Sequence, residues 1–200
     1  MIHGPKYKLC RRLGSDVFEK CQTQKFVQSE ARRGLKRGKK PKALSDFGTQ
    51  LIEKQKIRFS YGVSEKQFSN YVKVAMSAKS QASESLYESL ENRLDNVVFR
   101  LGLAHTRALA RQIVSHGHIV VNGKKTTIPS YQVRIGDVVT VREGSRKSAL
   151  FSNLETKLKD YSCPNWLKFN VAKGEATVEG KPRMQEGMPN FNTVLEYYSR

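Results

Sequence analysis

The sequence predicts an α+β chain: a helical domain completed by a C-terminal β-rich segment, into which a small ααβ-type domain is inserted. Three observations carry this reading. Apolar residues recur at steps of three and four over residues 68–76 and again over 86–114, which is the helical period. After Gly117 the period drops to two, with Asn122-Gly123 set as a hairpin turn between short apolar and basic runs. A second alternating run begins at Trp166. The 200 residues suffice for one or two modest domains, each able to bury a core.

Charge decides the class of partner. Lys and Arg number 36 against 18 Asp and Glu, a net +18, so a polyanion is the expected partner: basic residues displace condensed counterions from a phosphate backbone. A membrane surface is also polyanionic, but no apolar run approaches the roughly 20 residues of a spanning helix. The opening MIHGPKYKLCRR also lacks the apolar stretch of a secretory signal. No membrane is therefore expected, and the location read here is cytoplasmic, with an organellar version left open.

The excess is concentrated early. Residues 1–60 hold 16 Lys/Arg against 5 Asp/Glu, residues 61–90 balance, 91–143 hold 8 against 4, and 144–200 hold 9 against 6. Residues 1–44 read as a basic N-terminal extension. Within it ARRGLKRGKKPK, residues 31–42, is too poor in apolar side chains to form a core of its own. It is either a solvated tail or a segment that orders by threading along phosphates, with Arg11, Arg12, Arg32, Arg33, Lys36 and Arg37 as donors. The basic module of residues 91–143 in the same chain favours the second.

Cys10, Cys21 and Cys163 are odd in number, in a composition of intracellular type, and argue against a disulfide framework. Two thiolates near the N-terminus, even with His3, do not complete a tetrahedral zinc site. No metal and no cofactor is expected.

From Leu44 the composition changes. A helix is predicted after Ser45, a turn at Tyr61-Gly62, and a second helix capped by Ser64 with Gln67 completing a capping box. Phe68, Tyr71, Val72, Ala75 and Met76 lie at core spacing on that second helix. On the first, Lys54, Lys56 and Arg58 sit close together with Tyr61 beyond, and such a cluster by itself is usually a solvated face.

One further helix is predicted to carry Leu86, Leu90, Leu94, Val97, Val98 and Leu101 on a single stripe, with Arg93 and Arg100 off it, and to stop at Gly102. Thr106 caps the next helix, whose apolar stripe is Leu109, Ile113 and Val114 and whose end is Gly117. Its other face sets Arg107 and Arg111 one turn apart, with Gln112, Ser115 and His118 close by. Such donors, about 5–6 Å apart, can straddle phosphates. Residues 118–121 read as a strand, Lys124-Lys125 make the hairpin tip basic, Pro129 ends that arm, residues 134–137 (RIGD) turn, and residues 138–141 close a small sheet. Strand alternation puts His116 and His118 on one face, where polar or RNA contacts are favoured over metal ligation.

Residues 142–147 form a polar exit, and SALFSNLETKLKDY reads as a short helix with Leu150, Leu154 and Leu158 aligned. Trp166 reads as a core anchor. Leu167, Phe169 and Val171 share a face, Lys173-Gly174-Glu175 turns, and Ala176 and Val178 alternate back. The last stretch, FNTVLEYYSR, fits a strand or helical turn folding back onto the 45–90 helices. The expected domains are 1–44, then 45–90 joined by 144–200, and 91–143.

The runs ENRLDNVVFRLG, TRALARQIVSHGHIVVNGKK and IPSYQVRIGDVV together resemble the RNA-binding domain, or alpha-L motif, of small-subunit ribosomal protein number four, the S-four family. Such modules also occur in pseudouridine synthases, an aminoacyl-tRNA synthetase and small heat-shock proteins. Outside the module, SDFGTQLIEKQKIRFSYGVSEKQF is similar to a segment that in the S-four family contacts ribosomal RNA, which favours the ribosomal protein. The resemblance implies a structural constituent of the small ribosomal subunit. It would bind a multi-helix ribosomal RNA junction and nucleate assembly. It would also lie beside neighbouring small-subunit proteins and the channel where messenger RNA enters, and influence translational accuracy. Lys54, Lys56, Arg58, Tyr61, Lys66 and Gln67 would contact RNA there. So would Arg93, Arg107, Arg111, Gln112, Ser115, His116, His118, Lys124 and Lys125.

The chain departs from the family in two places. Many members carry four zinc-binding N-terminal cysteines, whereas Tyr7 and Gln24 stand here where partners of Cys10 are expected. The loop before KKPKALSDFG is also shortened. Two alternatives carry the same module, an RNA-modifying enzyme and a free RNA chaperone. Arg93-Leu94-Asp95 is similar to the string that holds the nucleophilic aspartate of pseudouridine synthases. It lies inside an amphipathic helix, where Asp95 would more plausibly pair with Arg93 or a later base, and too few residues remain for a catalytic domain. No phosphate-binding loop, HExxH string or Ser/His/Asp grouping is present, so neither an enzyme nor a small-molecule substrate is expected.

Overall fold

The computed structural model describes residues 5–34, 43–78, 81–148, 150–151, 161–170, 174–184 and 188–199. The chain forms two compact units, Met1–Leu86 with Gln185–Arg200, and Tyr87–Met184. His3, Lys36, Arg37, Leu154, Leu158 and Val171, named from the sequence, lie outside the described residues.

In the first unit, the expected extension is folded over residues 5–34. Helix α1 (Lys6–Leu13) leads through two 3-10 turns (Ser15–Val17 and Glu19–Gln22) into α2 (Gln24–Gly34). This return brings Cys10 and Cys21 to a Cα separation of 6.4 Å, where they form a disulfide, correcting the expectation that the cysteines are unbridged. Cys10, Cys21 and Phe26 make a small apolar cluster against which Tyr7 and Phe18 pack. The Tyr7 ring stands 5.4 Å from that of Phe26, so Tyr7 serves here as packing.

Helix α3 (Asp46–Ser60) starts where Ser45 Oγ accepts from the Gly48 amide. It ends at Tyr61-Gly62, with Gly62 at φ +64°. Helix α4 (Glu65–Ser77) starts where Ser64 Oγ accepts from the Gln67 amide. Phe68, Val72 and Ala75 are fully buried, but Met76 is 45% exposed and drops out of the expected stripe.

The single helix expected over residues 86–101 is two: α5 (Ala82–Glu91) and α6 (Leu94–Arg100). Arg93 between them is extended, at φ −66° and ψ 135°. The segment 129–133 crosses here and takes over the backbone bonding. The Leu94 amide donates to Tyr131 O (2.8 Å), the Asp95 amide to Pro129 O (3.1 Å), and the Val133 amide to Asn92 O (2.9 Å). Side-chain periodicity survives the break, because Leu86, Leu90, Leu94, Val97, Val98 and Leu101 are all fully buried.

Helix α7 (Arg107–Ser115) is capped by Thr106, whose hydroxyl accepts from the Leu109 amide. It closes at Gly117, φ +72°, with Gly117 N bonded to Val114 O and His118 N to Ile113 O.

The sheet contains β1 (Ile119–Val121), β2 (Lys124–Lys125), β3 (Val138–Val141), β4 (Leu167–Asn170) and β5 (Glu175–Val178). Its order is β2-β1-β3-β5-β4. Every neighbouring pair is antiparallel. Asn122 (φ +50°) and Gly123 (φ +77°) make the hairpin turn, both in the left-handed region that this tight turn requires.

Strand β5 pairs with β3, Val139 opposite Ala176, which corrects the expected division. The β-rich segment completes the inserted module and not the helical domain. The cause is burial: Trp166, Leu167, Ala176 and Val178 share one core with Val139, Val141, Ile113 and Leu94. A short helix α8 (Glu143–Arg146) follows β3, and the tail returns to the first unit as helix α9 (Phe191–Ser199). This last helix packs on α3 and α4, as expected for the tail, with Phe47 against Tyr197 and Phe68 against Tyr198. Among the described residues no helix is long and apolar enough to cross a membrane.

Candidate nucleic-acid interface

The module's donors sit on α6, α7 and the β1–β2 hairpin, and a set of buried polar groups fixes several of them. Asp95, in the first turn of α6, is almost fully buried. Its Oδ2 accepts from Nε (3.0 Å) and Nη2 (2.8 Å) of Arg111, one helix away. The same carboxylate accepts from Arg93 Nε (3.0 Å) and Nη2 (2.8 Å). Glu91, completely buried at the end of α5, accepts from Arg100 Nε (2.9 Å) and Nη2 (2.7 Å). Asn96, on α6, links α5 to α7: its Nδ2 donates to Glu91 Oε2 (2.9 Å), and its Oδ1 accepts from Arg107 Nε (2.8 Å). The Arg107 guanidinium also lies 4.4 Å over the Phe99 ring.

These partners answer the cost of burial, since a carboxylate removed from water without donors is strongly destabilising. Burial also pushes the nearby Tyr87 hydroxyl up to about 12, helped by the negative charge of Glu91.

The expected site residues separate into groups. Arg93 is 1% exposed, so its expected place off the apolar stripe and toward RNA is corrected: the helix break turns it inward onto Asp95. Arg107 and Arg111 are half-buried, held by Asn96 and Asp95. Gln112, Ser115, His116, Lys124 and Lys125 are exposed. A Cβ on Gly117 would stand 2.2 Å from Lys125 Cε, which shows that the lysine chain crosses the C-terminal end of α7, next to Ser115 and His116. Helix end and hairpin tip thus meet in one surface, whose positive charge comes from Lys124 and Lys125. His118 is drawn aside. Its Nδ1 bonds Ser145 Oγ at 2.9 Å and its ring meets Phe151 edge-on, although His116 remains 6.1 Å away.

In the first unit, Lys54 is 5% exposed, which corrects the expected cluster of Lys54, Lys56 and Arg58. Its Nζ donates to Glu65 (2.7 Å) and lies 4.5 Å over Tyr197. Arg58 turns to the same Glu65 at 3.4 Å, while Lys56 pairs with Glu53. Tyr61 is buried, so it offers no ring face to a ligand. Arg11 pairs with Glu30 and donates to Ser29 (3.0 Å). Arg12, Arg32, Arg33 and Lys66 are exposed, and Gln67 is half-buried at its cap.

Burial alone would raise Glu65, but hydrogen bonds from Lys54 and Tyr198 and the charges of Lys54 and Arg58 outweigh it and hold the carboxyl below its ordinary value. Tyr198 is raised by burial first, then by its hydrogen bond to Glu65.

The sequence reading missed Glu91, Asn96 and Arg100 as parts of the site. The available signal was two carboxylates and an asparagine interleaved with arginines in a basic segment, at spacings that return to one side of α5–α6. Among the described residues no group of three or more His, Cys, Asp or Glu is placed to hold a metal ion.

Known proteins share this sequence pattern. A family model described as "S4 domain" matches residues 92–139. One described as "Ribosomal protein S4/S9 N-terminal domain" matches residues 1–91. Proteins named small ribosomal subunit protein uS4 are similar along nearly the whole length. Those of Chromobacterium violaceum and Roseiflexus sp. (strain RS-1) are 44% and 43% identical over 205 residues. That of Herpetosiphon aurantiacus is 45% identical over 206. In each case 98% of both chains is covered.

Proposed function

We propose, from the premise that this chain belongs to the uS4 family of small ribosomal subunit proteins, that it is a structural constituent of that subunit and binds its ribosomal RNA directly. The observation that carries this reading is the contiguous basic surface at the end of α7 and the hairpin tip, where Lys125 crosses Gly117 beside exposed Ser115 and His116. A-form RNA has a major groove too narrow for side chains to read, so fixed donors of this kind recognise the contour and phosphates of a folded junction.

The finer reading comes from the family. The chain binds a multi-helix junction early and so nucleates assembly, beside neighbouring subunit proteins and near the channel where messenger RNA enters, with an influence on accuracy. Catalysis on RNA is disfavoured by the state of Asp95. A carboxylate buried between two arginines cannot approach a sugar carbon.

The test is Lys124→Ala with Lys125→Ala, both exposed strand residues. In a filter-binding titration against a junction fragment of small-subunit ribosomal RNA, affinity should fall about tenfold. The slope of log affinity on log salt should shrink by about 1.4 to 1.8 units, or 0.7 to 0.9 for each lost phosphate contact. Parent-like affinity and slope would reject this surface. Equal binding of the parent chain to unstructured RNA would favour the chaperone reading.

A further inference from the structure

Acidic side chains are out of place beneath donors meant for a polyanion, yet two lie buried under the arginines of α6 and α7, and neither is solvated. Glu91 has no exposed surface and Asp95 is 3% exposed. Between them, directly or through Asn96, they receive Arg93, Arg100, Arg107 and Arg111. Arg93 is wholly inside, but the side chains of Arg100 and Arg111 keep 26% and 25% of their surface in water. Each carboxylate therefore touches the inner edge of a guanidinium whose remainder reaches the surface.

We propose that Glu91 and Asp95 are positioning residues for RNA recognition: their buried carboxylates fix Arg100 and Arg111, and Asn96 fixes Arg107, in the pose that meets phosphate. This rests on the RNA-binding reading of the basic surface.

Three points carry it. Arg111 sets both Nε and Nη2 on the single atom Asp95 Oδ2, and Arg100 spans both oxygens of Glu91, so each guanidinium is tethered through two N–H donors that restrict its orientation. An arginine fixed beforehand loses little rotamer freedom when it grips a phosphate, whereas a mobile one loses much. The acids also sit on helix ends, Glu91 closing α5 and Asp95 in the first turn of α6, so both lie at the helix break that buries Arg93.

The sign of one measurement separates positioning from plain charge. Asp95→Asn removes a negative charge from a site facing RNA, so electrostatics alone predicts tighter binding. Positioning predicts about tenfold weaker binding to the junction RNA, because an amide replaces one acceptor with a donor and Arg111 loses its hold. Glu91→Gln should act likewise through Arg100. Glu143→Gln, which removes an exposed carboxylate of the same unit, should leave affinity unchanged or raise it.

Asp95→Asn combined with Arg111→Ala should lose no more than Arg111→Ala alone, since the aspartate acts through that arginine. A merely structural role would make the two losses multiply. Should both acid variants fail to fold by circular dichroism, Arg111→Lys decides. It keeps the charge but cannot make the two-point contact, and affinity equal to the parent's would overturn the proposal. Folded Asp95→Asn with unchanged or tighter binding, or multiplying losses, would overturn it too. A parent chain that does not bind the junction RNA sinks the functional reading itself, whereas a binding parent with indifferent variants sinks only the positioning role.

Discussion

Gly117 shows at the level of one residue how fold and interface meet. Its φ of +72° lies in the left-handed region, and the space where a Cβ would stand is occupied by the Lys125 chain. Gly117→Ala should cost about 1–2 kcal/mol from the backbone term, read as a lower urea midpoint. It should also displace Lys125 and weaken RNA binding. The glycine was legible in the sequence as a helix stop. That it also admits a lysine was not, because the contact joins residues eight apart through a hairpin. Arg93 and Lys54 teach the complementary lesson. Charge and spacing put both on outward faces, but the buried carboxylate of Asp95 holds Arg93 inward, and Glu65 with two tyrosines holds Lys54. A sequence shows which residues carry charge; it does not show which of them neutralise each other.

Among elements, α9 depends on a titrating latch. Tyr198 donates to Glu65 at 2.7 Å, and Glu65 holds Lys54 beneath the same helix. Because the folded-state value of Glu65 lies below its ordinary one, its contribution is complete above the ordinary carboxylate range near 4.5 and is lost as pH falls through the lower folded value. Acidification in that window should loosen α9, seen as faster amide exchange over residues 191–199. Glu65→Gln should be loose at neutral pH and show no such dependence.

Helix caps at Ser45, Ser64 and Thr106 were readable because capping is local, decided within four residues. The break between α5 and α6 was not, since its cause is the backbone of segment 129–133 arriving from almost forty residues away. The same distance hid the pairing of β5 with β3: alternation marked both as strands but could not say which sheet each joins.

For the whole molecule, the core of residues 87–184 closes on itself, from Leu94 to Val178, and draws side chains from β1, β3, β4 and β5, while the two lysines of β2 stay outside it. A fragment of those residues should melt cooperatively and keep its affinity for the hairpin-dependent part of the RNA site. A non-cooperative melt would show that the unit needs the rest of the chain. In the first unit, the Cys10–Cys21 bond closes a short loop and should stabilise it by about 3 kcal/mol on chain-entropy grounds. A reductant should therefore lower the melting transition of the first unit and leave that of the second unchanged.

The two outermost strands of the sheet bear on how the chain stays in solution without a partner. Strand β2 is only two residues long and both are lysine. On the opposite border, β4 carries Lys168, whose side chain is 74% exposed and pairs with Glu179 at 3.2 Å. An open border of unpaired amides and carbonyls invites another copy to add on and so seeds fibres, and clustered positive charge repels that copy. Lys124 and Lys125, proposed above as RNA contacts, would thus double as gatekeepers of solubility, so Lys124→Val with Lys125→Val should speed thioflavin-positive growth in RNA-free solution.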